Sequence, residues 1–273
     1  MGNRSGKCGH GRRKRINLKN TSPDVALQEF FRDNERFADV FNGCLFRERR
    51  RVAPEELREM DTNSSVNILS RELQEVLKRT RDVIKFTGDG TCLRILGIEN
   101  QQHIHYAMPL RAMIYDALTY LRRAAGMIQK NRREKAYHNV DEFLSGMKKE
   151  DRLIPCYTSV IYWGESKWDG PRSLEDMMEF EAGDERDFYF QNYAPARLIC
   201  VNEMEEYPFE NKDVFQLFQA VHEMYQNAGR QMPETLQSVG LETAYTAAVV
   251  TRTTKKLEKA LNETIQEGKE SIN

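Results

Sequence analysis

Several features that identify common protein classes are missing from this sequence. Its 273 residues contain no apolar run long enough to span a membrane, and no apolar segment follows the basic residues near the start. A transmembrane helix and a signal peptide are therefore not expected. The five cysteines form no C-x-x-C pair, so neither a zinc site nor a disulfide framework is indicated. These absences favour a soluble protein of the reducing cytoplasm.

An excess of charge of one sign is also missing. The 41 basic and 42 acidic residues leave a formal net charge of −1, which argues against a strongly cationic nucleic-acid binder. The charges are nevertheless segregated along the chain. Basic residues cluster within 1–20, 47–51 and 122–135, whereas acidic residues gather within 175–187 and 203–210. Such segregation is compatible with one face that binds a phosphate backbone, and equally with a solvated mixture of charges.

The apolar pattern predicts an α/β protein with a central sheet between helices. Residues 1–21 are predicted to be a disordered basic tail, and a helix begins at Ser22-Pro23-Asp24, where a capping side chain precedes proline. A second helical piece starts at "PEELREM", and strands are expected in "RDVIKF", "CLRILGIENQQ", "PCYTSVIYWG" and "ARLICV". "MPLRAMIYDALTYLRRAAGMIQ" and "SLEDMMEF" are predicted helices.

The chain from about residue 206 to residue 273 is predicted to be a helical C-terminal region that follows a domain at 22–205. Its last helix, "TRTTKKLEKALNETIQEGKE", is amphipathic. It could therefore associate with another helix, and a homo-oligomer through the C-terminal helices is possible.

The strand "CLRILGIENQQ" turns abruptly polar at its tip. Side chains two apart on a strand share a face, so Glu99 and Gln101 point one way and Asn100 points the other. The Gly-rich segment around Gly90 predicts a hairpin with the preceding strand. A hairpin centred there sets Asp82 opposite Glu99.

Two carboxylates that face each other across strands repel unless one is protonated or a cation lies between them. Hard oxygen ligands of this kind suit Mg²⁺, with Mn²⁺ as an alternative. Such a cation activates water and neutralises charge on a phosphate, and Gln101 would orient the water or the phosphate. The competing interpretation is that Asp82 and Glu99 are exposed residues at strand ends.

The order D…E-x-Q, followed by "MPLR…Y", resembles the Rpn branch of the PD-(D/E)xK nucleases, which are recombination-promoting nucleases also described as putative transposases. "NERFADVFNGCLF", "RVAPEEL", "IPCYTSVIYWG" and "KWDGPRSLEDMM" are also similar to segments of that group, so the resemblance covers roughly residues 29–205. It implies a restriction-endonuclease-like core and a metal-dependent deoxyribonuclease acting on DNA in recombination or mobile elements. The implied catalytic residues are Asp82, Glu99 and Gln101, of which Asp82 and Glu99 hold the metal.

The wider superfamily has lysine in E-x-K where the Rpn branch and this chain have glutamine, here Gln101, and another residue is one source of the missing basic group. The candidates for contact with the substrate are Arg81, Lys85, Arg111 and Tyr115. Without the lysine, a catalytically weak DNA-binding or interaction module on a nuclease-like scaffold stays open. A transposase-like strand transferase is a further alternative, but it needs a third acid that the sequence does not reveal. Two weaker metal-site candidates are the pair His103 and His105, and Glu35 as a further ligand.

Overall fold

The computed structural model of the chain describes residues 21–47, 51–59, 82–87, 94–180, 196–203, 207–227 and 239–266. The strands of these segments form one sheet of five, in spatial order β1 to β5. The β1–β2 and β2–β3 pairs are antiparallel, whereas the β3–β4 and β4–β5 pairs are parallel. In chain order the strands are β1 (Arg58–Glu59), β2 (Val83–Thr87), β3 (Arg94–Gln101), β4 (Cys156–Tyr162) and β5 (Ala196–Cys200).

Helices account for most of the remaining described chain. In chain order they are α1 (Pro23–Arg32), α2 (Asn34–Val40), α3 (Met108–Glu134), α4 (Val140–Ser145), α5 (Lys212–Gln226), α6 (Leu241–Val250) and α7 (Thr254–Gln266). A π-helical segment, Phe41–Phe46, continues α2. The predicted α/β architecture, a mixed sheet flanked by helices, is confirmed.

The N-terminal helical segment begins where the sequence predicts but does not run as one helix. The Ser22 side chain accepts a hydrogen bond from the Val25 N–H at 3.4 Å and caps α1. At Asp33 the backbone becomes extended, and its carboxylate accepts from the Arg36 N–H at 3.0 Å. Asp33 thus acts as an N-cap, because such a side chain satisfies an amide that has no partner inside the helix. The helical segment is therefore divided into α1 and α2 at Asp33.

The two faces of the sheet are covered by different helices, because neighbouring side chains on a strand point in opposite directions. On one face Leu96, Ile98 and Trp163 belong to the main core, together with residues of α1, α2, α5 and α6. On the other face Val160 and Tyr162 of β4 form a smaller cluster with Met108 of α3, Trp168 and Cys200. Each fully buried large apolar side chain contributes roughly 1.5–3 kcal/mol.

The C-terminal helices share the main core with the sheet. Leu217 and Phe218 of α5, Ala244 of α6, and Leu257 and Leu261 of α7 all lie in the cluster that contains the β3 side chains. The apolar face of α7 is therefore covered by this chain, at least at Leu257 and Leu261. The predicted boundary between residues 205 and 206 lies outside the described residues. Oligomerisation through these helices stays a prediction.

For two segments the prediction of a helix is wrong. "PEELREM" forms only a 3₁₀ turn, Pro54–Glu56, after which Arg58 and Glu59 pair with Phe86 and Lys85 as the edge strand β1. Pairing with β2 and burial of Leu57 outweigh the local helical preference. "SLEDMMEF" likewise forms only the 3₁₀ turn Glu175–Met177.

Some predictions fall outside the part of the chain that the structure describes. These are the basic tail apart from Thr21 and the hairpin turn at residues 88–93. Among the described residues, no helix combines the length and the hydropathy that crossing a membrane requires.

Candidate functional site

The polar end of β3 lies opposite the residue that precedes β2. Val83 pairs with Ile98 in the antiparallel ladder, and extending this register by one residue sets Asp82 opposite Glu99. This is the register predicted from the hairpin. Glu99 and Gln101 are two apart on β3 and share one face of the sheet, and Asp82 lies at the same end of the sheet, just before β2. Asn100 points to the other face, where its side-chain oxygen accepts from the Trp163 indole at 2.9 Å.

Asp82 is held by two N–H donors from different elements. One carboxylate oxygen accepts from the Asn100 backbone N–H at 2.7 Å, and the other accepts from the Gln28 amide of α1 at 3.1 Å. Burial raises the pKa of Asp82, and the charge of Asp24 on α1 acts in the same direction, whereas the bonds from Asn100 and Gln28 oppose the rise. The fold therefore supplies a positioned, partly desolvated carboxylate.

Glu99 is buried, with 2% of its surface exposed, and it is paired with a cation. Its Oε1 accepts from the Gln101 side-chain amide at 2.8 Å and from Nη2 of Arg111 at 2.8 Å. Arg111 lies near the start of α3, and its Nε donates to the Tyr115 hydroxyl at 2.7 Å. These contacts form a chain from Gln101 through Glu99 and Arg111 to Tyr115.

Electrostatic effects connect both carboxylates with this chain. Burial lowers the pKa of the Arg111 guanidinium. Glu99, the Tyr115 hydroxyl and Asp82 raise it by more, so the pKa of Arg111 is raised overall. Burial raises the pKa of Tyr115, and Glu99 and Asp82 raise it further. Asp82 thus acts on the same two groups as Glu99. The structure joins the predicted residues Glu99, Gln101, Arg111 and Tyr115 by direct contacts. Asp82 lies at the same end of the sheet and acts on Arg111 and Tyr115 through its charge.

Lys85 does not belong to this group, so the prediction that it contacts a substrate there is corrected. Lys85 is fully buried, and it pairs with Leu96 of the main core. Its ammonium donates to the Arg32 carbonyl at the end of α1 and to the Asn34 side chain, and it lies 4.9 Å from the Phe37 ring. Leu96 and Glu99 are three positions apart on β3 and point to opposite faces, so Lys85 points away from the Glu99 face. Lys85 therefore links the α1–α2 junction to the sheet through these hydrogen bonds.

The other predicted residues lie elsewhere. Arg81 falls outside the described residues. Glu35 lines a separate polar cavity of about 1010 Å³ between α2, the 51–56 segment and residues 210–213. His103 is exposed, and among the described residues neither His103 nor His105 joins a group of three or more side chains that could hold a metal ion.

The sequence analysis missed the contribution of α1 to the site. Gln28 contacts Asp82 directly, and Asp24 influences its pKa. The available signal was their spacing, because residues four apart lie on the same face of a helix. Both are polar in a helix whose other face is apolar, but nothing in the sequence indicates that this polar face meets β2.

A second group with metal-ligand chemistry lies near the end of α3. Ligand atoms of His138, Glu142 and Glu150 lie within 4.8 Å of one another. Glu142 already accepts from the backbone N–H groups of His138 and Lys149, at 2.8 and 3.1 Å, and these bonds lower its pKa. The carboxylate of Glu142 therefore organises the surrounding loop.

The oxygen donors at the β2–β3 end fit a hard divalent cation in type. Asp82 and Glu99 supply carboxylates, and the amide of Gln101 supplies a neutral oxygen if it turns. Each Asp82 oxygen accepts one side-chain or backbone bond, which leaves capacity for a ligand bond. The Glu99 Oε1 accepts two, one of them from a cation. These residues therefore suit a divalent cation that would neutralise Glu99 in place of Arg111.

Positive charge continues along α3 away from this site. Arg122, Arg123, Lys130, Arg132 and Arg133 lie on its second half, where Lys130, Arg132 and Arg133 are exposed. The Arg123 guanidinium lies 5.4 Å from the Phe86 ring of β2. The third predicted basic cluster is thus part of one helix that begins at the site.

Comparison with models of known families, with curated proteins and with solved structures finds no match to this chain.

Proposed function

We propose that this chain is a metal-dependent deoxyribonuclease that hydrolyses phosphodiester bonds. The observation that carries the proposal is the group at one end of β2 and β3. There Asp82 lies opposite Glu99, and Gln101 bonds to Glu99. A guanidinium and a phenol, from Arg111 and Tyr115, border the same group. The sequence resemblance to Rpn nucleases gives the proposal its reaction class.

Asp82 and Glu99 would hold the cation, with Mg²⁺ preferred and Mn²⁺ as an alternative. When bound, the cation supplies Lewis-acid chemistry, because it makes water more acidic and neutralises charge on a phosphate. Gln101 would orient the attacking water by hydrogen bonds, since a neutral amide cannot add charge. Gln28 and the Asn100 N–H keep Asp82 in its position. Arg111 and Tyr115 would donate hydrogen bonds to phosphate oxygens.

DNA is the proposed substrate because the cationic residues of α3 extend from the site along one helix. Exposed Lys130, Arg132 and Arg133 can neutralise phosphates without reading sequence. We also propose that the mixed sheet is a restriction-endonuclease-like core, and that the chain acts in recombination or in the movement of mobile elements. Both proposals come from the resemblance.

The test is a cleavage assay on plasmid and linear DNA with Mg²⁺, Mn²⁺ or EDTA. Wild type should cleave only with a cation, and Glu99→Gln should lose nearly all activity. Asp141→Ala serves as the control, because Asp141 is an exposed acid on α4 and no predicted role depends on it. Equal cleavage by wild type and Glu99→Gln, from preparations free of contaminating nuclease, would refute the proposal.

One observation favours a second candidate, a catalytically weak DNA-binding module. The Arg111–Glu99 pair balances the buried charge of Glu99 within the chain itself, so Glu99 has a structural role without any cation. A binding module would retain its DNA affinity in EDTA and in Glu99→Gln. It would lose affinity when Arg132 and Arg133 are replaced together by glutamine.

A further inference from the structure

We propose that Arg111 is an exchangeable counter-ion: it neutralises Glu99 until a divalent cation binds, and it then moves to a phosphate of the substrate. This inference rests on the proposed nuclease function and adds a coupling between cation and DNA. It makes Arg111 a positioning residue for the cation and a direct contact for the DNA.

The hydrogen bonds of Glu99 are the first support. Its Oε1 accepts from Gln101 and from Arg111, both at 2.8 Å. A cation that binds either oxygen of this carboxylate lies within a few ångströms of the guanidinium, and the two positive charges repel each other. Gln101 can turn its amide and offer an oxygen. Arg111 offers only N–H groups and a positive charge, so it is the group that the cation repels.

Burial is the second support. The Glu99 side chain is 2% exposed and the Arg111 side chain is 18% exposed. A carboxylate buried to this degree needs a counter-charge, because desolvation of an isolated ion is very costly. A divalent cation would take over that role, so Arg111 can depart without leaving Glu99 uncompensated. The cation therefore has to compete with a guanidinium, which weakens its binding to the protein alone.

The attachment of Arg111 is the third support. Its Nε bonds to the Tyr115 hydroxyl one helical turn further along α3, and its guanidinium lies 5.4 Å from the Tyr115 ring. Nη2 is the guanidinium atom that pairs with Glu99 Oε1. A rotation about the end of the side chain can break that pair while Tyr115 keeps hold of Nε. The planar fork of the guanidinium then suits a phosphate, which it can bind through two parallel hydrogen bonds.

Exchange of this kind couples the two ligands. The cation releases Arg111 for the phosphate, and a phosphate that holds Arg111 leaves Glu99 available to the cation. By linkage, DNA must raise the affinity for the cation by the same factor as the cation raises the affinity for DNA. We expect a factor on the order of tenfold, within the usual range of such couplings.

The experiment measures Mn²⁺ binding to the full chain by electron paramagnetic resonance, without DNA and with a short non-hydrolysable phosphorothioate duplex. The variants are Arg111→Met, Arg111→Lys and Glu99→Gln. Arg152→Met is the control, because Arg152 is exposed and bonds to the neighbouring carbonyls of Lys149 and Asp151. Wild type should bind Mn²⁺ about tenfold more tightly with the duplex. Arg111→Met should bind Mn²⁺ about tenfold more tightly than wild type without DNA, and the duplex should then add little.

Arg111→Lys should lie between wild type and Arg111→Met, because an ammonium keeps the charge but cannot bond to Glu99 and Tyr115 in the same fork. Arg152→Met should retain the wild-type coupling. If Arg111→Met does not fold, wild type is titrated with Mg²⁺ instead, and the NMR signal of the Arg111 Nε–H is monitored during the titration. That signal should shift with cation in wild type and stay unchanged in Glu99→Gln.

Two results separate failure of this inference from failure of the proposed function. If wild type binds Mn²⁺ in a manner that Glu99→Gln abolishes, but Arg111→Met binds it no more tightly, the exchange is refuted and the cation site stands. If neither wild type nor Arg111→Met binds Mn²⁺ through Glu99, the cation site itself is refuted. The proposed exchange is also refuted if the Arg111 signal does not shift at saturating Mg²⁺ while Glu99 binds the cation.

Discussion

Replacing Glu99 by alanine should cost stability as well as activity. A side chain at a strand tip is expected from sequence to contribute little to packing, which would leave Glu99→Ala as stable as wild type. The structure changes that expectation, because Glu99 is 2% exposed and forms an ion pair with Arg111. Its removal leaves a guanidinium that is largely enclosed and has lost its carboxylate.

The size of the effect follows from the burial of the two partners. Removing one partner of a buried ion pair costs about 3–5 kcal/mol. The Arg111 side chain keeps 18% exposure, so water can solvate it in part. We therefore expect Glu99→Ala to lower the free energy of unfolding by about 2–3 kcal/mol. Glu99→Gln retains an acceptor for both donors and should cost only about 1 kcal/mol.

Urea unfolding followed by tryptophan fluorescence is the appropriate assay, because Trp163 and Trp168 are both buried. The midpoint of thermal unfolding should fall by roughly 5–10 °C in Glu99→Ala, given about 2–4 °C per kcal/mol for chains of this size. Asp141→Ala, the exposed control, should stay within about 0.5 kcal/mol of wild type.

A double-mutant cycle with Arg111→Met isolates the ion pair. The double variant should be less destabilised than the sum of the single variants, because each single change leaves one charge uncompensated. A Glu99→Ala variant as stable as wild type would refute the reasoning. So would single effects that add within about 0.5 kcal/mol, since independent sites behave in that way.

Three other predictions concern activity, pH and salt. Gln101→Lys should cleave DNA at or above the wild-type rate and Gln101→Ala below it, while Glu99→Gln stays near zero; any other order of initial rates would contradict the assigned roles. Burial lowers the pKa of Lys85 from its ordinary value of 10.5, so between the two pKa values the unfolded state binds more protons and Lys85 makes stability rise with pH. Lys85→Met should remove that alkaline rise in stability. In urea unfolding at neutral pH it should lower the free energy of unfolding by about 2–4 kcal/mol, because two buried acceptors lose their donor. In a cleavage assay it should leave the DNA cleavage per folded molecule unchanged. Deleting residues 1–20 should flatten the salt dependence of DNA binding, because fewer phosphates are neutralised, and an unchanged slope would show that these residues make no DNA contact.

The local pattern of the sequence was sufficient to predict the main elements. Alternation of apolar and polar residues located β2, β3, β4 and β5, and the apolar run after Met108 located α3. The centre of the hairpin predicted the β2–β3 register, because two antiparallel strands joined by a short turn pair symmetrically about it. Periodicity and turn position are properties of neighbouring residues, so no tertiary contact was needed to read them.

Predictions failed where a distant segment decided the outcome. Arg58 and Glu59 became a strand because β2 offered them an edge, although their own sequence favours a helix. Strand parity turned Lys85 away from Glu99, and Lys85 bonds to the carbonyl end of α1. Neither outcome can be read from a window of adjacent residues, because its cause lies elsewhere in the chain.

The sequence by itself determined which side chains share the end of β3, since Glu99 and Gln101 lie two apart and Asp82 faces them across the hairpin. Only the tertiary structure decided what surrounds them. The packing of α1 brought Gln28 to Asp82, and the start of α3 brought Arg111 to Glu99 at 2.8 Å. The physical reason is the distance along the chain over which each effect acts. Strand parity acts over a few residues, whereas charge compensation of a buried carboxylate depends on how whole helices pack against the sheet.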